Sequence, residues 1–200
     1  SKLVLLPLLM LFFYVQPFFA SAANSKYLIL VGLFGSFLGD AFLLSDALFI
    51  PGMIAFMTTH IFNIIFFSKI YSLKQPKSTA FKVSSSLLLF FCWFIYFQLS
   101  TAIGPLIYPI LVYMALICLA ALMAIHVSNN KPTKMIAKLF WIPGMLFFIA
   151  SDTVLAFNKF SWSTQSPIEN IGLVTMATYG IAQLLLVKGF QLYFTKEEQS

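Results

Sequence analysis

The sequence predicts an all-α fold, a polytopic transmembrane helical bundle that crosses the bilayer about seven times as one domain over residues 1–200. Three observations predict it. Hydrophobic residues make up 60% of the chain and charged residues 9%, against about half and about a quarter in ordinary globular chains. Seven apolar runs reach the ~17–25 residues that a helix needs to span hydrocarbon. The lysines between those runs fall in alternate connections. A soluble protein needs a charged skin, and this chain, with 24 Phe, has too little charge to make one.

The spans, in order, are 3–20, 27–45, 52–68, 83–99, 103–126, 137–157 and 171–193. The first lacks a small-residue cleavage site and reads as a span rather than a signal peptide. Helices are the economical choice throughout, because they satisfy their own backbone groups in lipid. The connections after spans one, three, five and seven hold Lys26; Lys69, Lys74, Lys77 and Lys82; Lys131, Lys134 and Lys138; and Lys188 and Lys196. Only Lys2 and Lys159 lie on the other side. This bias places the C-terminus in the cytoplasm and the visible N-terminus outside. An outside N-terminus without a signal sequence points to a further span before Ser1.

Composition also excludes partners. All twelve basic residues are Lys, so the guanidinium fork that grips phosphate and base edges is missing, and nucleic acid is not expected. Cys92 and Cys118 lie inside apolar runs without metal-ligand spacing and read as small hydrophobes. His60 and His126 sit near opposite faces, so no metal is expected, and no cofactor motif occurs.

The candidate chemistry lies in two acids. A carboxylate in hydrocarbon costs at least a few kcal/mol and needs a reason to be there. Asp40, in span two, and Asp152, in span six, both lie ~20 Å from the cytoplasmic end at 1.5 Å per residue. Each follows a small residue and precedes a Leu by three positions. His60 and Asn63 share a face of span three. Tyr113 lies at a similar depth in span five, and Thr175, Tyr179 and Gln183 form a polar stripe along span seven. Gly32, Gly35, Ser36 and Gly39 read as a small-residue packing face. Asp46, Glu169, Glu197 and Glu198 sit at span ends, where water suffices.

These motifs, in this order, resemble the YhhN-like family of membrane proteins. They are Gly39, Asp40 and Leu43; Gly52, Phe56 and His60; Ser151, Asp152, Leu155 and Ala156, running on to Asn158, Lys159 and Phe160; and Tyr179, Ala182 and Gln183. Asn63 departs from the pattern, which has Tyr there. The resemblance implies eight spans, with one ahead of the run that begins at residue 1. It also implies a lysoplasmalogenase, which hydrolyses the vinyl ether of a lysoplasmalogen to a fatty aldehyde and a glycerophospho-ethanolamine or -choline. The expected partners are that lysophospholipid and membrane lipid, and the expected setting is the bacterial inner membrane; oligomeric state is left open.

A vinyl ether is cleaved by protonating its β-carbon, which leaves an oxocarbenium ion that water attacks. Two carboxyl groups sharing one proton suit that chemistry, as in glycoside hydrolysis. Asp40 and Asp152 are therefore the expected acid/base pair. His60, Asn63, Tyr113, Ser151, Asn158, Lys159, Tyr179 and Gln183 are expected to position substrate or water. Two other readings stay open at this stage. Buried acids also serve proton-coupled transporters, and a non-catalytic lipid-binding protein would show the same composition.

Overall fold

The computed structural model describes residues 2–16, 23–162 and 167–197. The fold is all-α, 88% helical and, among the described residues, without strands. The helices are α1 (Lys2–Tyr14), α2 (Ala23–Phe42), α3 (Phe49–Ile70), α4 (Thr79–Ile103), α5 (Ile107–Val127), α6 (Ile142–Phe160) and α7 (Ile171–Glu197). Five helical stretches are long and apolar enough to cross a membrane: Ser25–Phe42, Asp46–Ile70, Thr79–Val127, Lys131–Phe160 and Ile171–Glu197. Leu3–Tyr14 is a shorter apolar helix; the rest of the span expected over 3–20, from residue 17 on, lies outside the described residues.

The 49-residue stretch Thr79–Val127 is where the sequence reading separated two spans. No polar loop divides it. It turns at Gly104, whose φ of 60° and ψ of −135° suit a residue without a Cβ, and Pro105 starts the short 3₁₀ turn that leads into α5. Cys92 Sγ lies 3.4 Å from Cys118 Sγ, and Ser78 accepts a hydrogen bond from the Asn129 amide. Both pairs are nearly symmetric about the bend, so α4 and α5 form an antiparallel hairpin.

Small residues bring α2 against α3. A Cβ on Gly35 would stand 2.9 Å from the Ala55 carbonyl oxygen, so only glycine permits this approach. Thr59 Oγ1 crosses the gap to the Gly32 carbonyl at 2.8 Å. The expected small-residue face thus sets the tightest seam in the bundle. On the far side, α6 and α7 pack antiparallel, with Gly144 against Leu186 and Trp141 against Gly189. A π-helical turn, Ala137–Trp141, precedes α6 and delivers the fully buried Trp141 into the core. At one end, rings of α1, α3, α7 and the π-helical turn close on one another, with Phe66 5.0 Å from Phe190, Phe67 5.2 Å from Trp141 and Phe13 5.7 Å from Phe194. The other end of the same helices holds the polar residues.

Candidate active site

Asp152 lies on α6 and accepts a hydrogen bond at Oδ2 from the Tyr113 hydroxyl of α5. The Tyr113 oxygen is 3.3 Å from Nε2 of His60 on α3. His60 is fully buried, with its ring 4.8 Å from that of Phe148. The three polar groups come from three helices and are held in place by apolar neighbours, so their mutual orientation is fixed before any ligand arrives. His60 Nε2 and Tyr113 are joined as a relay leading to one carboxylate.

Asp40 is buried on α2, close to Tyr179 of α7, which also neighbours Gln183 and Ser36. Gln183 donates from Nε2 to Ser36 Oγ at 3.1 Å, and Ser36 Oγ lies 3.0 Å from Thr59 Oγ1. Tyr113 and Tyr179 are themselves electrostatic neighbours. Each aspartate thus stands beside a tyrosine, Asp152 hydrogen-bonded by Tyr113 and Asp40 close to Tyr179, and the two tyrosines are near each other. Phe56 and Phe148 wall this group, their rings 6.1 and 5.4 Å from Tyr179.

Asp152 faces a cavity of ≈ 90 Å³. Its walls are Met53 and Phe56 of α3, Phe91, Ile95 and Leu99 of α4, and Ile110, Met114 and Ile117 of α5. Tyr113, Asp152 and Thr153 bring the polar atoms. Leu43, Phe49, Leu155 and Phe160 line both this cavity and a second, wider one, whose further lining is Ser45, Asp46, Asn158 and Lys159. An apolar slot with one carboxylate therefore opens into a polar vestibule.

The remaining expected residues fall into two groups. Asn158 and Lys159 line the vestibule. Ser151 points away from the cavity and donates to the Thr175 carbonyl at 3.0 Å, which ties α6 to α7. Asn63 is buried on α3, one turn beyond His60, and none of the described hydrogen bonds joins it to Tyr113 or the aspartates. Asp46 lies at a span end and is exposed, as expected, and its Oδ1 also meets Lys159 Nζ at 2.6 Å. Its partner lies 113 residues away, a separation no local pattern reports. Ser36 and Thr59 were also missed as network members; a Ser on a glycine face reads as packing alone. Among the described residues, no three His, Cys, Asp or Glu side chains converge as they would to hold a metal ion.

The YhhN family matches this chain over residues 1–190. The chain belongs to the YhhN family. The human lysoplasmalogenase TMEM86A is 30% identical over 175 residues, which cover 84% of this chain and 67% of the human protein. No solved structure matches the chain. It is an integral membrane protein, and the residues that carry its YhhN resemblance come together from four helices. Asp40, His60, Asp152 and Tyr179 share one half of the bundle with Gln183, and Asn158 and Lys159 stand at its mouth.

Proposed function

We propose that this YhhN protein hydrolyses the vinyl ether bond of a lysoplasmalogen inside the membrane. The observation that carries the proposal is Asp152, a carboxyl group bonded by Tyr113 and facing an otherwise apolar slot. The name of the 30% identical human relative supports the same substrate class. A lipid whose tail fills the slot brings its ether linkage to the rim, where the tail gives way to glycerol.

Asp152 suits both halves of the reaction. Its Oδ1 donates a proton to the β-carbon of the vinyl ether, while Oδ2 keeps the bond from Tyr113. The new carboxylate then stands beside the oxocarbenium ion, where a low-dielectric setting strengthens their attraction. Water adds to the α-carbon and returns its proton to the carboxylate. The resulting hemiacetal breaks its bond to glycerol, releasing a fatty aldehyde and the glycerophospho headgroup. His60 orients Tyr113. Asp40, beside Tyr179 and outside the lining of the slot, is the second carboxyl of the pair and holds the complementary charge state, as acids in unlike environments do.

The same reading has the chain crossing the bilayer seven times. The Thr79–Val127 hairpin contributes two crossings, and α1, though short, packs parallel to α7 through Leu5 on Gly180 and Phe13 on Phe194. Successive helices along the chain then alternate in direction, and the lysine-rich connections gather at the cytoplasmic end, away from the aspartates.

The test is aldehyde release from purified protein given lysoplasmalogen in detergent or liposomes. Wild type releases aldehyde, and Asp152→Asn does not. Undiminished release by Asp152→Asn removes that residue from the mechanism. Substrate-driven proton flux into liposomes with no aldehyde release would replace the hydrolase with a transporter.

A further inference from the structure

The vestibule holds an ion pair with no part in the chemistry above. Lys159 closes α6, and Asp46 lies in the short turn between α2 and α3. Their side chains are 27% and 97% exposed. An ion pair this wet adds little to stability, so it is a poor latch and an easily opened one. Lys159 Nζ also lies 4.7 Å above the Phe49 ring, and Phe49 meets Phe160 edge-on at 5.6 Å. A cation, an anion, two aromatic faces and the amide of Asn158 thus surround the mouth of an apolar slot.

The geometry points to a clamp for a zwitterionic lysophospholipid headgroup, in which Lys159 takes the phosphate and Asp46, with the Phe49 face, takes the amine. This rests on the lipid-hydrolase reading for where the tail lies. The headgroup brings one charge of each sign, so it replaces the Asp46–Lys159 pair without leaving either residue unmatched. The ring face of Phe49 accepts an ammonium or trimethylammonium cation as it now accepts Lys159.

Spacing agrees. Asp152 and Lys159 are seven residues apart on one face of α6, which places them about 10 Å apart along the axis. Seven bonds separate the β-carbon of the vinyl ether from the phosphorus. An extended chain covers roughly 3.3–3.6 Å per three bonds, so that path spans about 8 Å. A phosphate held by Lys159 therefore sets the vinyl ether at Asp152. The clamp is a ruler for the scissile bond as well as a selector for the headgroup.

The experiment uses the full chain and lipids that it cannot turn over. These are a saturated 1-O-alkyl lysophosphoethanolamine, the same alkylglycerol without phosphate, and the same alkyl lysophosphatidic acid without amine; equilibrium binding is measured for each. Lys159→Gln weakens the zwitterionic lipid about tenfold, the scale of a lost charge-assisted contact, and leaves the alkylglycerol unchanged. Asp46→Asn, at an exposed side chain, weakens the zwitterion and tightens the phosphate-only lipid, because Lys159 loses its competitor. A merely structural ion pair would move all three lipids together. Wild-type affinity for the zwitterion in Lys159→Gln, an equal loss for alkylglycerol, or an unchanged ranking in Asp46→Asn overturns the clamp. Aldehyde release is scored separately. A protein that shows the ranking but releases no aldehyde has the clamp without the hydrolase, and one that releases aldehyde with no ranking has the reverse.

Discussion

The same three stretches of helix, α3, α7 and α6 with the π-helical turn before it, build two halves of opposite character. Toward the lysine-rich end α3, α7 and the π-helical turn leading into α6 supply Phe66, Phe67, Trp141, Phe190, Tyr193 and Phe194, whose rings meet at 5–6 Å. Toward the other end α3, α6 and α7 supply His60, Asp152, Tyr179 and Gln183, with Tyr113 from α5, around a cavity. Ring packing needs only shape and tolerates no gaps. A hydrogen-bonded network inside lipid needs every member partnered, and leaves room for a substrate only if something else holds the helices apart. The aromatic half does that holding. The polar half is free to be imperfectly filled because the seam below it is solid.

The widest separation between the halves comes from Asp152→Asn. The amide keeps the Tyr113 contact but cannot donate a carboxyl proton. Loss of a positioned acid costs about 10²–10⁴-fold in rate, so aldehyde release falls by that factor while thermal stability in detergent stays the same or rises. A drop in melting temperature together with activity would instead make Asp152 a structural residue.

Trp141→Ala is the mirror experiment. Trp141 is fully buried between Phe66, Phe67 and Phe190 and packs on Gly189. Removing such a ring costs about 3–5 kcal/mol of stability, read as a lower midpoint of thermal unfolding. Turnover per folded molecule stays near wild type, because no ring of this cluster reaches the slot. Turnover lost at full stability would show the two halves to be coupled.

Between these lies Tyr113→Phe. The ring stays, and the hydroxyl that joins His60 to Asp152 goes. Loss of one preorganised donor at a reacting carboxylate lowers kcat by roughly 10–10²-fold, with KM little changed. An equal rise in KM would mean that Tyr113 binds lipid and leaves the carboxylate alone.

The two halves were unequally legible in the sequence. Depth along a helix follows from counting residues, so Asp40, Asp152, His60, Tyr113 and Tyr179 could be placed at one level. Azimuth and neighbourhood depend on how helices pack, so nothing local paired Tyr113 with Asp152 or Tyr179 with Asp40. The ion pair Asp46–Lys159 joins the chain across 113 residues and left no trace at either position. The aromatic half was invisible as a unit, because Phe is spread through every span. The helix boundary at Gly104 falls inside the span expected over 103–126, and the π-helical turn Ala137–Trp141 had no sequence mark beyond Pro143 downstream.

The smallest effect tests whether nearness to Asp152 in sequence means a share in its work. Ser151 is the adjacent residue and carries the family resemblance, yet its hydroxyl reaches the Thr175 carbonyl on α7. That carbonyl also accepts from Thr178 Oγ1 at 3.1 Å, so Ser151→Ala leaves no orphaned acceptor. Hydrogen bonds between membrane helices average about 0.6 kcal/mol, and the alanine fits the space of the serine. The expected outcome is a loss of stability of that order, with aldehyde release within about twofold of wild type, well short of the effect of removing a catalytic acid. Ser151 then belongs to the scaffold that the α6–α7 seam provides, although it lies in the polar half. A fall in kcat of tenfold or more at unchanged stability would mean that the tie to Thr175 aims Asp152, and the boundary between scaffold and site would have to be drawn one residue closer to the seam.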